Sequence, residues 1–541
     1  MRFLRPSRFV LVIALFVAAA PLAADDILTF DVIFGDNPGG KVAGNLAWSP
    51  DGTRLAYSWD DGDGKALWLL DVASGEHIVV LREGGDHGIE PGAYHWSPSG
   101  DALLLESGGD LYLLEIGGAA PRRLTETDEE ESDPKFSPDG SAVAFVRAYD
   151  LWTLDLASGE QAALTDDGIA NEILNGVTDW VYWEEIWGRD SSGHWWSPKG
   201  DRIAYYRFDE EPVGTYPLVD FTAVPYPTVE HQKYPKAGTA NPIVRVGVIP
   251  AGGGDTVWLD TKHEPDDYLA RVDWLPSGER VTVQRLNREQ DTLELLSCSP
   301  ADGSCGLLLK ETWPTWVNLR EDLRFLGDGR FLWTSEKSGW RRLYLHDGYG
   351  AALAALTPEG WALTSLDAVD EESGTFVYTA YRGEGLGAKD RQVFRGSLAG
   401  GAPETLTPAE GWSSATVASG TGNWVHTWSA ADHPTRRAVL DAAGETIAEL
   451  PSEPPPYDPA ALPAWRFFEI EGADGGKLPA ALLEPVTGEG HGKAPAIMYH
   501  YGGPASQVVA NRWGSRGRGL RHKLMAQRRN AVLYLDNPGS N

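Results

Sequence analysis

The chain of 541 residues is short of positive charge. It has 46 Lys and Arg against 78 Asp and Glu, which gives a formal net charge of −32. A charge of that sign and size repels phosphate backbones and anionic lipid. We therefore expect no nucleic-acid partner.

Cysteine is almost absent. Cys298 and Cys305 are the two in the sequence, seven positions apart in a segment rich in Ser, Gly and Asp. In an oxidising compartment they could close a small hairpin disulfide, and two free thiols are the alternative. Two thiols without a neighbouring His form no metal-site pattern, so we expect neither a metal nor another cofactor.

Long hydrophobic runs are also lacking, apart from one at the N-terminus. Arg2, Arg5 and Arg8 precede the apolar run 9–20, and small residues follow as far as Ala24. This pattern predicts an export signal over residues 1–24 and a periplasmic or secreted protein. The run is short for a membrane span, which favours a cleaved signal over an uncleaved anchor.

What the chain does contain is a repeat. An aromatic landmark is followed by Ser-Pro-Asp-Gly or a variant, an alternating apolar strand, and a second strand of Leu-Trp/Tyr-x-Leu type. Pro and Gly supply the turn and the alternation supplies the strands. Repeats of this length predict a β-propeller over residues 25–450. The clear landmarks are Trp48, Trp96, Phe136, Trp196, Trp274 and Phe325.

The excursion between Phe136 and Trp196 contains two adjacent acids, Glu184 and Glu185, set among Trp, Tyr and Ile. Fixed anions beside apolar side chains suit a ligand's ammonium group, which loses its hydration on entering a pocket. Asp179 could cap a short helix that presents both acids to one ammonium from different sides. The alternative is an ordinary solvated helix face with its aromatics turned to the core.

Three ordered segments, 179–187, 194–205 and 234–242, resemble the dipeptidyl peptidase IV family of serine exopeptidases. The resemblance implies a fold that is mainly β, with an N-terminal propeller of about eight blades followed by an α/β-hydrolase domain. It also implies that Glu184 and Glu185 bind the free N-terminus of a peptide substrate. The family's propeller arginine is missing from the hairpin Glu106–Asp110; Arg147 could substitute for it or pair with local acids.

The repeat ends at a Pro-rich stretch, 451–464, which reads as a stiff linker. Beyond it, residues 465–541 look like the first strands of a hydrolase sheet and one Arg-rich helix. The segment 499–507 is similar to the family's oxyanion loop, and the match places Tyr501 on the tyrosine that donates to the oxyanion; a Tyr closing a glycine turn is the alternative.

The sequence lacks the Gly-x-Ser-x-Gly nucleophile elbow of this family. The nearest string, 411–415, lies among propeller strands and has Ala for the last Gly, so we expect Ser413 to be no nucleophile. No His can be assigned to a catalytic triad, and Pro538 replaces the family's Arg near the end. A fragment or a broken reading frame is the expectation.

The sequence therefore predicts the substrate-binding and gating part of a dipeptidyl peptidase, inactive by itself. Its partners would be peptides with a free N-terminus, and a homodimer would form through a complete hydrolase domain. Two alternatives stay open. One is a non-catalytic secreted propeller that binds peptides or proteins; the other is an acylaminoacyl peptidase, which the two Glu disfavour because a blocked N-terminus carries no charge.

Overall fold

A computed structural model describes residues 27–540, except 86, 87, 119, 384, 474, 487–492, 505, 515 and 516. The expected signal, 1–24, lies outside the described residues. The chain first forms a short helix, α1 (Phe30–Ile33), whose first turn is capped by Thr29 through a bond from the Val32 amide. A two-residue strand, β1 (Lys41–Val42), follows.

Successive sheets then occupy residues 44–449, and their strand pairs are antiparallel except for one parallel pair in the last sheet. The first three sheets are β2 (Gly44–Trp48), β3 (Arg54–Asp60), β4 (Lys65–Asp71) and β5 (Glu76–Arg82); β6 (Tyr94–Trp96), β7 (Ala102–Ser107), β8 (Asp110–Glu115) and β9 (Arg122–Arg123); and β10 (Glu131–Phe136), β11 (Ala142–Arg147), β12 (Asp150–Asp155) and β13 (Gln161–Ala163).

The fourth sheet contains two excursions. It is built from β14 (Ile173–Asn175), β15 (His194–Trp196) and β16 (Arg202–Asp209), and, after the separate exposed hairpin of β17 (Thr215–Asp220) and β18 (Thr228–Lys233), from β19 (Ile243–Pro250) and β20 (Val257–Trp258). A π-helical turn, Tyr182–Ile186, lies between β14 and β15.

The remaining sheets of this region follow without long insertions. They are β21 (Tyr268–Trp274), β22 (Val281–Leu286), β23 (Thr292–Cys298) and β24 (Cys305–Thr312); β25 (Arg324–Phe325), β26 (Phe331–Ser335), β27 (Arg342–His346) and β28 (Ala352–Ala355); and one joined sheet of β29 (Trp361–Asp370), β30 (Thr375–Arg382), β31 (Arg391–Ser397), β32 (Glu404–Thr405), β33 (Trp412–Val417), β34 (Trp424–Ala430), β35 (His433–Leu440) and β36 (Thr446–Glu449).

The Ser-Pro-Asp-Gly turns are held by their own side chains. Ser49 Oγ accepts a bond from the Arg54 amide at 3.0 Å and donates to Asp51 at 2.6 Å. Asp51 also accepts from the Thr53 amide, and Gly52 has a φ of 67°, which favours glycine. The repeated tetrapeptide thus specifies a tight turn between the first two strands of a sheet.

The landmark tryptophans join neighbouring sheets. The indoles of Trp96, Trp196 and Trp274 each donate to a carbonyl in the preceding sheet, at Ala47, Lys135 and Trp195. Trp48 in the first sheet donates to Thr416 in the last at 2.9 Å. A shared core that includes Leu55, Tyr57, Val425 and Val439 packs these two sheets together and closes the ring.

The predicted fold, mainly β with an N-terminal propeller, is confirmed. The number of blades stays a prediction, because Arg391 pairs with Trp412 and joins two four-stranded units into the single sheet β29–β36. The cysteines are paired directly across β23 and β24 and form a disulfide, so the alternative of two free thiols is wrong.

The Pro-rich stretch is not a free spacer. Its first residues form β37 (Ser452–Glu453), which pairs with β1. Tyr457 donates to the Pro38 carbonyl at 2.6 Å, and a 3₁₀ turn, Pro459–Ala461, ends the stretch. A second 3₁₀ turn, Gly385–Lys389, lies between β30 and β31.

The C-terminal part is a four-stranded mixed sheet with one helix. It contains β38 (Trp465–Glu471), β39 (Lys477–Leu483), β40 (Ala496–Tyr499), α2 (Arg518–Gln527) and β41 (Ala531–Leu535), in the order β38-β39-β41-β40. Residues 27–39 pack against it rather than against the propeller: Leu28 and Ile33 share a core with Trp513, Leu520 and Leu524. The segment that the sequence analysis included in the propeller therefore contributes to the C-terminal core.

Two absences concern only the described part of the chain. None of its helices has the length and apolar character needed to cross a bilayer. It also contains no cluster of three or more His, Cys, Asp or Glu side chains arranged for a metal ion.

Candidate peptide-binding site

The turn that carries Glu184 and Glu185 begins at a buried acid. Asp179 accepts bonds from the amides of Val181 at 3.3 Å and Tyr182 at 3.0 Å, so the predicted cap is confirmed. The Trp187 amide bonds to the Tyr182 carbonyl, five residues earlier, which makes the turn π-helical. The two acids therefore lie on a wider turn than the predicted α-helix.

The neighbouring sheet fixes this turn from below. The Tyr182 hydroxyl accepts from the Leu269 amide at 2.8 Å, and its ring meets Tyr206 and Phe208 edge to face. Arg271 donates to the Ile186 carbonyl at 2.7 Å and stacks on Trp187. Both ends of the turn are thus anchored to β21. The backbone that carries the two acids therefore has little freedom to move.

The two glutamates face different surroundings. Glu184 accepts two bonds from Arg189, at 2.8 Å from Nε and 2.9 Å from a terminal nitrogen, and this contact lowers the pKa of Glu184. Glu185 is exposed and contributes to the wall of a large cavity. Among the described residues, Glu185 forms no salt bridge. Of the two acids, Glu185 alone lines the cavity, and binding of an ammonium by either carboxylate stays a prediction.

The cavity has a volume of about 1850 Å³ and is shared by the propeller and the C-terminal sheet. Propeller residues on its wall include Glu185, Tyr268 and Arg271. The C-terminal part contributes 476–479, Gln507 and 536–540. A cavity of this size, between two structural units, accommodates a short peptide.

Most cations in the cavity wall are already bound to carboxylates. Arg271 lies 2.9 Å from Glu321, and the buried Arg320 lies 3.2 Å from Glu311. Arg341 pairs with Asp322. Because these charges compensate one another, Glu185 is an acid left available to an incoming cation.

Tyr501 lies on the loop that follows β40. Its side chain is 59% exposed, and it is not among the residues of the cavity wall. Gly502 has a φ of 83°, and a Cβ on Gly503 would come within 3.0 Å of the Tyr501 ring. Gly502 therefore permits the turn of the backbone, and the missing side chain of Gly503 leaves space for the Tyr501 ring.

The strand end at Asp536 supports the same loop. Asp536 is buried and accepts from the amides of Val508 at 2.8 Å and Val509 at 3.0 Å. Asn537, which lines the cavity, donates to the Gly503 carbonyl at 3.3 Å. The Tyr501 loop is thereby connected to the cavity wall, although the structure does not bring Tyr501 and Glu185 into contact.

The residues that sequence reasoning missed are Arg189, Arg271, Asp536 and Asn537. The last two lie in the terminal segment that was noted for another reason, Pro538. Arg147 is occupied, since it bonds to Gln161 at 2.9 Å and stacks on Trp152 at 3.8 Å. Arg271 gave no local signal, because its role depends on a contact 85 positions away.

Ser413 has a histidine neighbour but no access to solvent. Its Oγ lies 3.0 Å from His426 Nε2, and its side chain is fully buried between β33 and its neighbours. Burial lowers the pKa of His426 to about 4. A serine buried in this way is out of reach of a peptide, which favours the expectation that Ser413 is no nucleophile.

The cap residue gives a pH-dependent prediction. Burial raises the pKa of Asp179 to about 6, although two amide bonds oppose the shift. The folded protein thus holds a proton that the unfolded chain releases near pH 4, so the stability conferred by neutral Asp179 is present at low pH and lost as the pH rises through about 6. Relative to Asp179→Asn, the wild-type unfolding free energy should fall by about 2–3 kcal/mol between about pH 4 and pH 7.

Urea unfolding at several pH values measures this difference. The matched control is Asp220→Asn, an exposed aspartate whose pKa is lowered by its bonds to Thr222. Its difference from wild type should stay constant above about pH 5. A constant difference for Asp179→Asn as well would contradict the prediction.

Comparison with known proteins agrees with this architecture. The family model for the dipeptidyl peptidase IV (DPP IV) N-terminal region matches residues 97–435, more than half of the chain. A probable dipeptidyl peptidase 4 of Aspergillus clavatus is 28% identical over 408 residues, 70% of this chain and 51% of that protein. One of Aspergillus flavus is 26% identical over 502 residues, 86% of this chain and 64% of that protein.

Solved structures show the same fold. The crystal structure of Porphyromonas gingivalis dipeptidyl peptidase 4 matches with a TM-score of 0.80 at 24% identity, over 92% of this chain and 72% of that one. A putative dipeptidyl aminopeptidase IV from Bacteroides ovatus matches with a TM-score of 0.73 at 23% identity, over 92% and 73% of the two chains. The chain spans between half and two thirds of the length of these curated Aspergillus relatives. On the family-model match, the chain belongs to the dipeptidyl peptidase IV family, of which it contains the N-terminal region.

Proposed function

We propose that this chain is the substrate-binding and gating part of a secreted or periplasmic serine dipeptidyl peptidase that releases N-terminal dipeptides. One observation carries the proposal: Glu185 stands on a rigid turn at the wall of a cavity shared with the C-terminal sheet. In this proposal the sheet and α2 are the start of an α/β-hydrolase domain.

The geometry suggests how the position of the cleaved peptide bond would be determined. A peptide's ammonium at Glu185 fixes the N-terminus, and the cavity leads from there to the segment 536–540 of the C-terminal sheet. A reacting group held beyond that segment would meet a peptide bond at a set distance from the N-terminus. Binding and orientation of this kind supply much of an enzyme's rate acceleration.

Tyr501 completes the proposed site as the oxyanion donor. Its position on a glycine loop supported by Asp536 and Asn537 suits a donor that is fixed before the reaction. In the proposed reaction a serine, an aspartate and a histidine of a complete hydrolase domain would act with Tyr501. A homodimer through the complete hydrolase domain is part of the same proposal.

The binding step can be tested on the full chain by calorimetry with trialanine amide. We expect a Kd between about 1 µM and 1 mM for the free peptide, because desolvation and ordering offset much of the interaction. The Nα-acetylated peptide should show no binding, since acetylation removes the charge that Glu185 would meet.

A control separates the site from the overall acidity. The chain's charge of −32 attracts any cation weakly. Acetyl-Ala-Ala-Lys amide has the same charge at its other end and should bind no better than acetylated trialanine amide. Equal affinity for all three peptides would rule out the assignment.

The second candidate is a non-catalytic propeller that binds peptides or proteins. The observation that favours it is that the sequence contains no Gly-x-Ser-x-Gly. Both candidates predict peptide binding. Only the peptidase hypothesis predicts activity once a hydrolase segment with serine, aspartate and histidine is joined to this chain.

A further inference from the structure

Glu184 already forms an ion pair with a side chain of the same protein, Arg189. Arg189 presents its guanidinium edge to the two oxygens of Glu184, with both contacts under 3 Å. A ligand's ammonium would donate to the same two carboxylate oxygens. A candidate anchor and a competitor for it thus lie five positions apart in the sequence.

The backbone places Arg189 there. Gly188 has a φ of 63° and Arg189 a φ of 75°, so two consecutive left-handed residues reverse the chain after the π-helical turn. The Arg189 amide then bonds to the Trp183 carbonyl at 2.5 Å, and its guanidinium lies 5.9 Å from the centre of the Trp183 ring. A left-handed arginine is uncommon, since side chains other than glycine adopt this region at a cost. The reversal, and not chance rotation of a long side chain, directs Arg189 toward Glu184.

This internal pair is accessible to a competitor. The Arg189 side chain is 69% exposed, and that of Glu184 is 25% exposed. Exposed ion pairs are held weakly because water screens them and ordering two long side chains costs entropy. A peptide ammonium that is already bound at Glu185 could therefore displace Arg189 from the adjacent carboxylate.

We propose that Arg189 is an affinity-determining residue, which occupies Glu184 as a stand-in for the ligand's ammonium and leaves Glu185 as the primary anchor. The inference rests on the proposed function, because it concerns the same N-terminal binding site. It gives the two glutamates unequal roles: Glu185 binds first, and Glu184 contributes only when Arg189 gives way.

Removing Arg189 should tighten peptide binding. Asn tolerates left-handed backbone, so Arg189→Asn removes the guanidinium without new strain. With the Glu184 carboxylate free to accept from the ammonium, trialanine amide should bind the full chain about five- to tenfold more tightly, while acetylated peptide stays unbound. Calorimetry in about 0.15 M salt limits long-range effects.

Two matched variants separate release of Glu184 from a change in overall charge. Arg466 is another exposed arginine bound to a carboxylate, at 3.1 Å from Glu484, and it does not line the cavity. Arg466→Gln changes the net charge equally and should leave the affinity unchanged. The double variant Glu184→Gln/Arg189→Asn should lose the gain, because the second carboxylate is gone.

The outcomes distinguish the inference from the function on which it rests. If Glu185→Gln does not weaken binding, the proposed peptide site itself is wrong. If Glu185→Gln weakens binding but Arg189→Asn has no effect, only the role of Arg189 is wrong. A gain that persists in the double variant would also overturn it, by showing that the charge of Arg189 acts at a distance. Arg189→Gly, which suits the same backbone, should reproduce the Asn result.

Discussion

Tyr501→Phe is expected to lower kcat by about 100-fold or more, with little change in KM, in an enzyme made by joining this chain to a hydrolase segment that carries a serine, an aspartate and a histidine. The hydroxyl would donate to an oxygen whose negative charge exists only in the transition state. Loss of such a donor therefore affects the chemical step and not the binding of the substrate.

The structure supplies the reason for a large effect. The loop that carries Tyr501 is held by two amide bonds to Asp536 and by Asn537 at Gly503, so little reorganisation is needed when the charge forms. Tyr349 provides the control, because it lines the cavity, is 92% exposed and has no proposed role. Steady-state kinetics on a chromogenic dipeptide substrate measure both variants. A Tyr501→Phe enzyme with wild-type kcat would show that this tyrosine only closes a glycine turn.

The repeated turns made much of the fold predictable. Ser49, Asp51 and Gly52 fix their turn through bonds within six residues, so the sequence pattern contains the structural cause. The landmark tryptophans were equally visible, although their bonds to the preceding sheet were not. Local chemistry therefore located the strands, and long-range contacts arranged them.

The ends of the chain were less predictable, because their contacts are distant in sequence. The Trp513 indole donates to Gly39 across 474 positions, and Leu28 bonds to Gln527 across 499. No periodicity or turn motif records such pairs. For the same reason nothing in the sequence indicated that Leu28 and Ile33 pack with the C-terminal core.

The candidate site was found in part. The cap at Asp179 was predictable, because an acid before a short helical turn has a local function. The difference between Glu184 and Glu185 was not, since it depends on the reversal at Gly188 and Arg189 and on the cavity that only the folded chain creates. Two adjacent acids in a sequence look equivalent until their neighbours are known.

That difference leads to unequal expectations for the two glutamates in a completed enzyme. Glu185→Gln should lower kcat/KM by about tenfold or more, since it removes a charge-assisted contact worth about 1.5–3 kcal/mol to the substrate's amino group. Glu184→Gln should cost only about two- to threefold, because in the free protein that carboxylate is already engaged by Arg189 and an exposed pair of this kind is worth little.

Kinetics with dipeptide substrates test this order, and thermal unfolding controls for damage to the fold. Both side chains lie at the surface of the turn and not in its core, so neither substitution should change the unfolding temperature appreciably. Equal losses for the two variants would mean that Arg189 leaves Glu184 as soon as a substrate enters. Wild-type kcat/KM for both would mean that the two carboxylates form a solvated helix face, and that the cavity selects its peptide by other groups.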